Sequence, residues 1–383
     1  MIRPLPIPFP RRRQEFSEGD APGGRLKRRI VLAGAASLVA WGLLQWVSPP
    51  TGIAWSNPMK EAAVDMAHGI QSVARHCREA GISIDGTLDP NGTCLIGPEY
   101  TPLFTTLGQL EAKRTSLNPD IAGLLVHLLE KAGVAAGDTV AIGASGSFPG
   151  LLLATLSAVK ALGAHPVTIL SLGASSYGAT RPEMHVLDFY DLLQNAGLAT
   201  EPPAAVSLGG EEDVGLDFSA GEREELRMAV ARAGVPLLEE RELRANVARR
   251  MRIYGDPGAF VNVGGGEANL GTSPEILKLP PGLFPSTRPL SGFDMPPPPE
   301  RGVLFEMVRR GVPVIHLLHV RGLSLRYGVY WDPVPLPEPG STLLREGEPG
   351  LDGNFWLLTA AYLGTLALLG VTARRRPSPP GRL

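Results

Sequence analysis

The chain has 383 residues, of which 44% are hydrophobic and 19% charged, enough for one large core or two small ones. Its formal net charge of −2 is unevenly spread: residues 1–29 set eight Arg/Lys against three Asp/Glu, the last ten carry four Arg and no acid, and the remainder is left at −11. An acidic centre between basic ends excludes a nucleic-acid binder, because no basic face remains to meet phosphates.

Taken in order, residues 1–29 read as a basic cytoplasmic tail. The run IVLAGAASLVAWGLLQWV at 30–47 and the run FWLLTAAYLGTLALLGVTA at 355–373 are both free of charge. At about 1.5 Å per residue each would nearly cross a bilayer core of ~30 Å, so both are expected as transmembrane helices. Trp41, Trp46, Phe355 and Trp356 would supply interfacial rings. GRLKRR precedes the first run, and Arg374, Arg375 and Arg376 open a second basic tail at 374–383. Basic flanks favour the cytoplasmic side, which predicts a two-pass protein of the cell membrane with both termini cytoplasmic and 51–354 extracytoplasmic. A cleaved signal peptide fits less well, since no A-x-A site follows the first run.

Residues 51–135 read as the helical N-terminal part of that extracytoplasmic region. Asn57 and Pro58 open a helix that Gly81 ends, with Val64, Ala67, Ile70, Val73, Ala74 and Cys77 on one stripe. LNPDIAGLLVHLLEKAG repeats the logic from Asn118 and Pro119 to Gly133. Cys77 and Cys94 are the two cysteines of the chain. An oxidising exterior would permit a disulfide between them, and two free core thiols are the alternative.

From 136 to 335 short apolar runs alternate with helical patterns, which predicts an α/β domain with a mostly parallel sheet flanked by helices. DTVAIGAS, HPVTILSLG, AAVSLGG, GAFVNVG and GVPVIHLLHV are its strands, and each ends in small or polar residues. Ligands in such sheets sit beyond the carboxyl ends of the strands, so these loops are the place for a binding or catalytic site. Residues 336–354 read as a linker.

Three loops carry the candidate chemistry. In GASGSFPG, Ser145 sits in a strand–turn–helix context suited to a nucleophile, yet G-x-S-x-G would need Gly at 147, where Ser stands. Gly146 and Ser147 could instead hold an anion on backbone N–H groups, or the loop could be a tight turn with Ser147 as helix cap. SLGASSYGATRPEMHVLD echoes it, with Ser175, Ser176 and a fork at Arg181 for a carboxylate. His185 and Asp188 stand three apart on a helix and would complete a Ser145–His185–Asp188 catalytic set, or form an ordinary surface pair. In VNVGGGEANLG, three consecutive glycines, Gly264, Gly265 and Gly266, flanked by Asn262 and Asn269, suggest close backbone contact with a ligand or a hinge. No metal site is expected: His316 and His319 lack any H-E-x-x-H or cysteine partner, and Glu211, Glu212, Asp213 and Asp217 lack EF-hand spacing. No cofactor is indicated.

The motifs GASGSFPGLLLA, SLGASSYGATRPEMHVLD, VNVGGGEANLG and GVPVIHLLHVRGLSLRYGVYWDPVPLP, framed by two apolar runs, resemble those of the poly-γ-glutamate system protein family, the W component of bacterial poly-γ-glutamate clusters. The resemblance covers most of 50–370 and carries no catalytic residue with it. It implies a membrane-anchored accessory of capsule-type poly-γ-glutamate biosynthesis or export. Its partners would be the bilayer, other membrane proteins of the system, and the anionic polymer or a glutamyl precursor bound at the Gly/Ser loops. Two other readings stand beside it. One is a serine-dependent hydrolase or transpeptidase for γ-glutamyl amide bonds, and the other is a structural scaffold of the membrane assembly.

Overall fold

The computed structural model describes residues 22–47, 51–284, 294–346 and 353–374. Residues 1–21 of the basic tail expected over 1–29, residues 375–383 of the tail expected over 374–383, and part of the linker lie outside them. The chain divides into two units, one holding Met1–Thr51 with Glu348–Leu383 and the other Gly52–Gly347.

In the first unit the helices Pro22–Val47 and Gly353–Arg374 meet through Ser37 Oγ and Tyr362 Oη, 2.7 Å apart. Among the described residues no helix is long and apolar enough to cross a membrane. This corrects the transmembrane framing of the fold, the two-pass cell-membrane location and the placing of 51–354 as extracytoplasmic. A span needs about 20 predominantly apolar residues in one helix, and among the described residues neither helix supplies such a run.

The second unit is an α/β domain. Helix α1 (Asn57–Glu79) is capped by Ser56, whose hydroxyl accepts from Met59 N–H at 3.4 Å, one residue before the expected Asn57. Its buried stripe runs through Met59, Ala62, Ala63, Met66, Ile70 and Val73, and Val64 faces outward. Cys77 at its end is disulfide-bonded to Cys94, with Cα atoms 6.5 Å apart. The short α2 (Leu110–Thr115) and α3 (Asp120–Lys131) follow. Asn118 Oδ1 accepts from Asp120 N–H at 3.0 Å and so starts α3.

The strand–helix series is β1 (Thr139–Ser145), α4 (Pro149–Ala161), β2 (His165–Ser171), α5 (Val186–Asn195), β3 (Ala205–Ser207), α6 (Ala220–Ala233), β4 (Leu237–Leu238), α7 (Leu243–Tyr254) and β5 (Ala259–Val263). One helical turn α8 (Glu267–Leu270), β6 (Gly282–Phe284), α9 (Val303–Arg309), β7 (Val314–Leu317) and α10 (Val320–Tyr327) complete it. The strands form one sheet in the order β4–β3–β2–β1–β5–β7–β6, parallel throughout except for β6, which runs antiparallel on β7. Alternate residues of β1 face opposite cores. Val140, Ile142 and Ala144 pack with α1, α3 and α4, while Ala141 packs with Val247 and Met251 of α7 and Phe305 of α9. Both faces are covered, which is why these strands are continuous apolar runs rather than alternating ones.

The order reverses direction between β1 and β5. The chain steps outward from β1 to β2, β3 and β4, then returns to the other side of β1. A crevice opens at such a switch point beyond the strand ends, where the connections leave in opposite directions.

Candidate functional site at the sheet switch point

A cavity of about 450 Å³ lies over this point, within the range for small-molecule sites. Its floor is Ser145, Ser147 and Phe148 after β1, Ser171, Gly173 and Ser175 after β2, Gly209 and Gly210 after β3, and Gly265 and Gly266 after β5. Leu318, His319 and Arg321 close one side from the β7–α10 connection, and residues 105–109 with Lys113 of α2 form the roof.

The small residues are required by the packing. Gly264 adopts φ +83°, and a side chain there would collide with Ser145 Oγ. At Gly143 a Cβ would stand 2.5 Å from Asn269 Nδ2. Asn262 Nδ2 donates to Gly264 O at 2.9 Å and lies 3.1 Å from His316 Nδ1, so these two buried groups hold the triple-glycine loop from behind. Burial pulls the His316 imidazole down to about 4, with nearby His319 adding to the effect.

The most unusual group is Lys113. It is only 2% exposed, and its Nζ donates to Ser147 O and, at 2.6 Å, to Ser175 Oγ. The amine sits 3.8 Å from the centre of the Phe148 ring. None of these partners carries a negative charge. Burial therefore pulls the amine down to about 7. Ser147 Oγ accepts from Ser175 N–H at 3.0 Å, which ties the β1 and β2 loops together under the lysine. Ser145 Oγ is buried at the cavity wall and makes no hydrogen bond.

Beneath the floor lies a second buried cation. Arg250 of α7 is fully enclosed, and its Nη2 donates to Asp213 Oδ2 at 2.6 Å and to Ser207 Oγ at 2.9 Å. Asn246 joins both residues, donating to Asp213 Oδ2 at 2.9 Å and accepting from Arg250 Nε at 2.8 Å. Asp213 reaches this position through left-handed backbone at Glu212 and Asp213, φ +55° and +62°. The flanking acids Glu211 and Asp217 are thereby left on the cavity rim, joined by Glu267. Burial raises the Glu267 carboxyl above its ordinary value, a shift opposed by the Glu212 N–H that it accepts at 3.1 Å.

The loops singled out in the sequence do converge, but not all of their residues reach the cavity. Ser145, Ser147, Ser175, Gly265 and Gly266 line it. Gly146 is buried alongside, donating to Ser171 O at 2.9 Å, and Gly264, Asn262 and Asn269 support from behind. Ser147 does not cap α4, because Phe148 occupies that position. The Ser176 hydroxyl is buried without a partner, and Arg181 turns away, donating to Ile96 O at 3.5 Å from a separate small pocket. His185 and Asp188 form the capping box of α5, with His185 N–H donating to Asp188 Oδ2 at 2.9 Å, and His185 lines a different cavity beside Glu222 and Glu225. Glu267 lies inside the motif VNVGGGEANLG, but no local pattern marks Lys113, Arg250 and Arg321, and only the fold brings them to the site.

Among the described residues no group of three or more His, Cys, Asp or Glu could hold a metal ion, and no helix could cross a membrane. The reading as a membrane-anchored poly-γ-glutamate component is overturned accordingly, together with its bilayer, polymer and membrane-protein partners. The scaffold reading falls with the same membrane assembly. The γ-glutamyl hydrolase built on Ser145, His185 and Asp188 is corrected as well, since that histidine and aspartate are spent on a helix cap beside another cavity. No family model, no curated protein and no solved structure matches the chain.

Proposed function

We propose that the α/β domain binds a small dipolar organic molecule in the switch-point cavity. The observation that carries this reading is the division of charge along the cavity. Its acids, Glu211 and Asp217, follow β3, with Glu267 after β5, whereas Arg321 and His319 follow β7 and the Lys113 amine stands in the roof. β3 is four strand positions from β7, and β5, which Glu267 follows, is one, so acids and cations are separated by about 5 to 19 Å along the sheet, a range that takes in a six-carbon zwitterion. A molecule with ammonium at one end and carboxylate at the other meets complementary charge at both, while a simple anion or cation meets repulsion at one end. Hydroxyls between the poles, including the unpartnered Ser145, offer hydrogen bonds to a polar middle.

Three probes of equal chain length test it: 6-aminohexanoate, hexanoate and hexylamine, titrated calorimetrically against the full chain. The zwitterion is expected to bind at least about tenfold more tightly than either single-charge probe, a gap of ~1.4 kcal/mol. Equal binding of all three, or none at millimolar concentration, would remove the reading.

A further inference from the structure

We infer that Ser175 is a nucleophile activated by Lys113, and that the molecule taken by the cavity is an acyl ester or thioester. The inference rests on the reading of this cavity as a ligand site, and not on the division of charge along it.

Four serines line the cavity floor at the ends of β1 and β2, and geometry separates them. Ser171 Oγ is taken up by Ser207 Oγ at 2.8 Å and by Asp213 Oδ1 at 3.2 Å, the carboxylate that pairs with Arg250. Ser145 Oγ has no base within hydrogen-bond reach. Ser147 Oγ is engaged as the acceptor of Ser175 N–H, and its carbonyl holds Lys113. Ser175 Oγ alone of the four meets an amine, 2.6 Å from Lys113 Nζ. Both residues line the cavity, Lys113 from the roof beside Phe148 and residues 105–109. A ligand entering the cavity therefore meets the serine oxygen with the amine within hydrogen-bond reach of it, the pairing of a nucleophile and its base. The amine is fit for this because its desolvated surroundings keep much of it neutral near pH 7. The titratable groups facing it across the cavity are Glu211, Asp217, Glu267, His319 and Arg321.

The chemistry balances without a further group. Neutral Lys113 takes the Ser175 proton as Oγ attacks the carbonyl carbon, forming a C–O bond and a tetrahedral oxyanion. The oxyanion collapses, the bond to the leaving alkoxide or thiolate breaks, and Lys113 returns its proton to that leaving group. Water then attacks the acyl-Ser175, giving one proton to Lys113. The acid departs and Ser175 recovers its proton.

The test is a fluorophosphonate probe on the full chain, read by intact mass and then by peptide mapping. The expected result is a single adduct at Ser175, absent from Ser175→Ala and from denatured protein. Its rate should rise through an apparent pKa near 7 and fall by ~100-fold or more in Lys113→Met. Should Lys113→Met fail to fold, the pH profile of the wild-type adduct decides. An adduct at Ser145 or Ser147 instead, a flat pH profile, or no adduct on folded protein would overturn the inference. Binding of 6-aminohexanoate without any adduct would sink this inference and leave the binding reading standing, while an adduct without zwitterion binding would do the reverse.

Discussion

Among the described residues two cations, Arg250 and Lys113, are buried in this domain, and the structure treats them in opposite ways. Arg250 is wholly enclosed but faces Asp213, Asn246 and Ser207, with its charge met by a carboxylate. Lys113 is nearly as enclosed and meets only a hydroxyl, a carbonyl and an aromatic face. A buried ion with its counter-ion is a structural device that fails when one partner is removed. A buried amine without one sheds its proton instead, and becomes a base at the expense of folding free energy. The two stand on either side of the same cavity floor, one fixing it and the other giving it chemistry.

Breaking the compensated pair should produce the largest effect. Asp213→Ala leaves the Arg250 charge buried alone and is expected to cost about 3–5 kcal/mol of stability, measured by urea unfolding, with collapse of the acidic rim. A loss under ~1 kcal/mol would mean that Arg250 does not depend on Asp213.

A third buried titratable group sharpens the contrast through pH. His316 is held near 4 in the fold, below its ordinary 6.5, so the unfolded chain takes up the proton first. Its contribution is fully present above pH 6.5 and is lost as pH falls from 6.5 to about 4, on the order of 3 kcal/mol. His316→Gln should flatten the stability profile across that window, and an unchanged profile would place the acid sensitivity elsewhere.

Removing a constraint far from the cavity gives a reference of similar size. Cys77→Ser opens a loop of 17 residues and is expected to lower stability by about 3 kcal/mol while leaving the fluorophosphonate adduct rate unchanged.

The smallest effect has the opposite sign. Lys113→Met should stabilise the domain at pH 7 by about 1–2 kcal/mol, the desolvation gain less the lost hydrogen bonds to Ser147 and Ser175. The Lys113 amine titrates near 7 in the fold and near 10.5 in the unfolded chain, so the gain should shrink as pH rises from 7 through 10.5. A variant less stable at pH 7 than at pH 10.5, relative to wild type, would contradict the uncompensated state of the amine.

Much of the sheet could be read from the chain because its central strands are buried on both faces. Apolar runs such as DTVAIGAS and GAFVNVG, ended by small residues, carry a signal that survives without neighbours. The two- and three-residue strands β4 and β6 carry none, since their pairing is set by β3 and β7 rather than by their own side chains. The glycine-rich loops were legible as a place, because close approach leaves a compositional trace at Gly143, Gly146 and Gly264. The chemistry was not. Lys113 lies in EAKRT, which reads as a solvated helical turn, and its burial is created by residues 34 to 62 positions further on. The histidine and aspartate that looked catalytic satisfy a helix end, a local role that the same spacing serves equally well. The apolar terminal runs suggested spans because a sequence shows where charge is absent, yet among the described residues neither helix is long and apolar enough to cross a bilayer.

The Asp213–Arg250 anchor has a consequence for how such a chain can diverge. It fastens the acidic loop at its interior, where Val214 and Gly215 are buried beside it, and leaves Glu211 and Asp217 at the surface. Positions 213 and 250 are therefore bound to a shared history, changing together or not at all. Position 211 is free to drift, and with it the preference of the cavity's acidic end, whereas Asp217 is tied to the loop by accepting the Glu211 N–H at 2.7 Å.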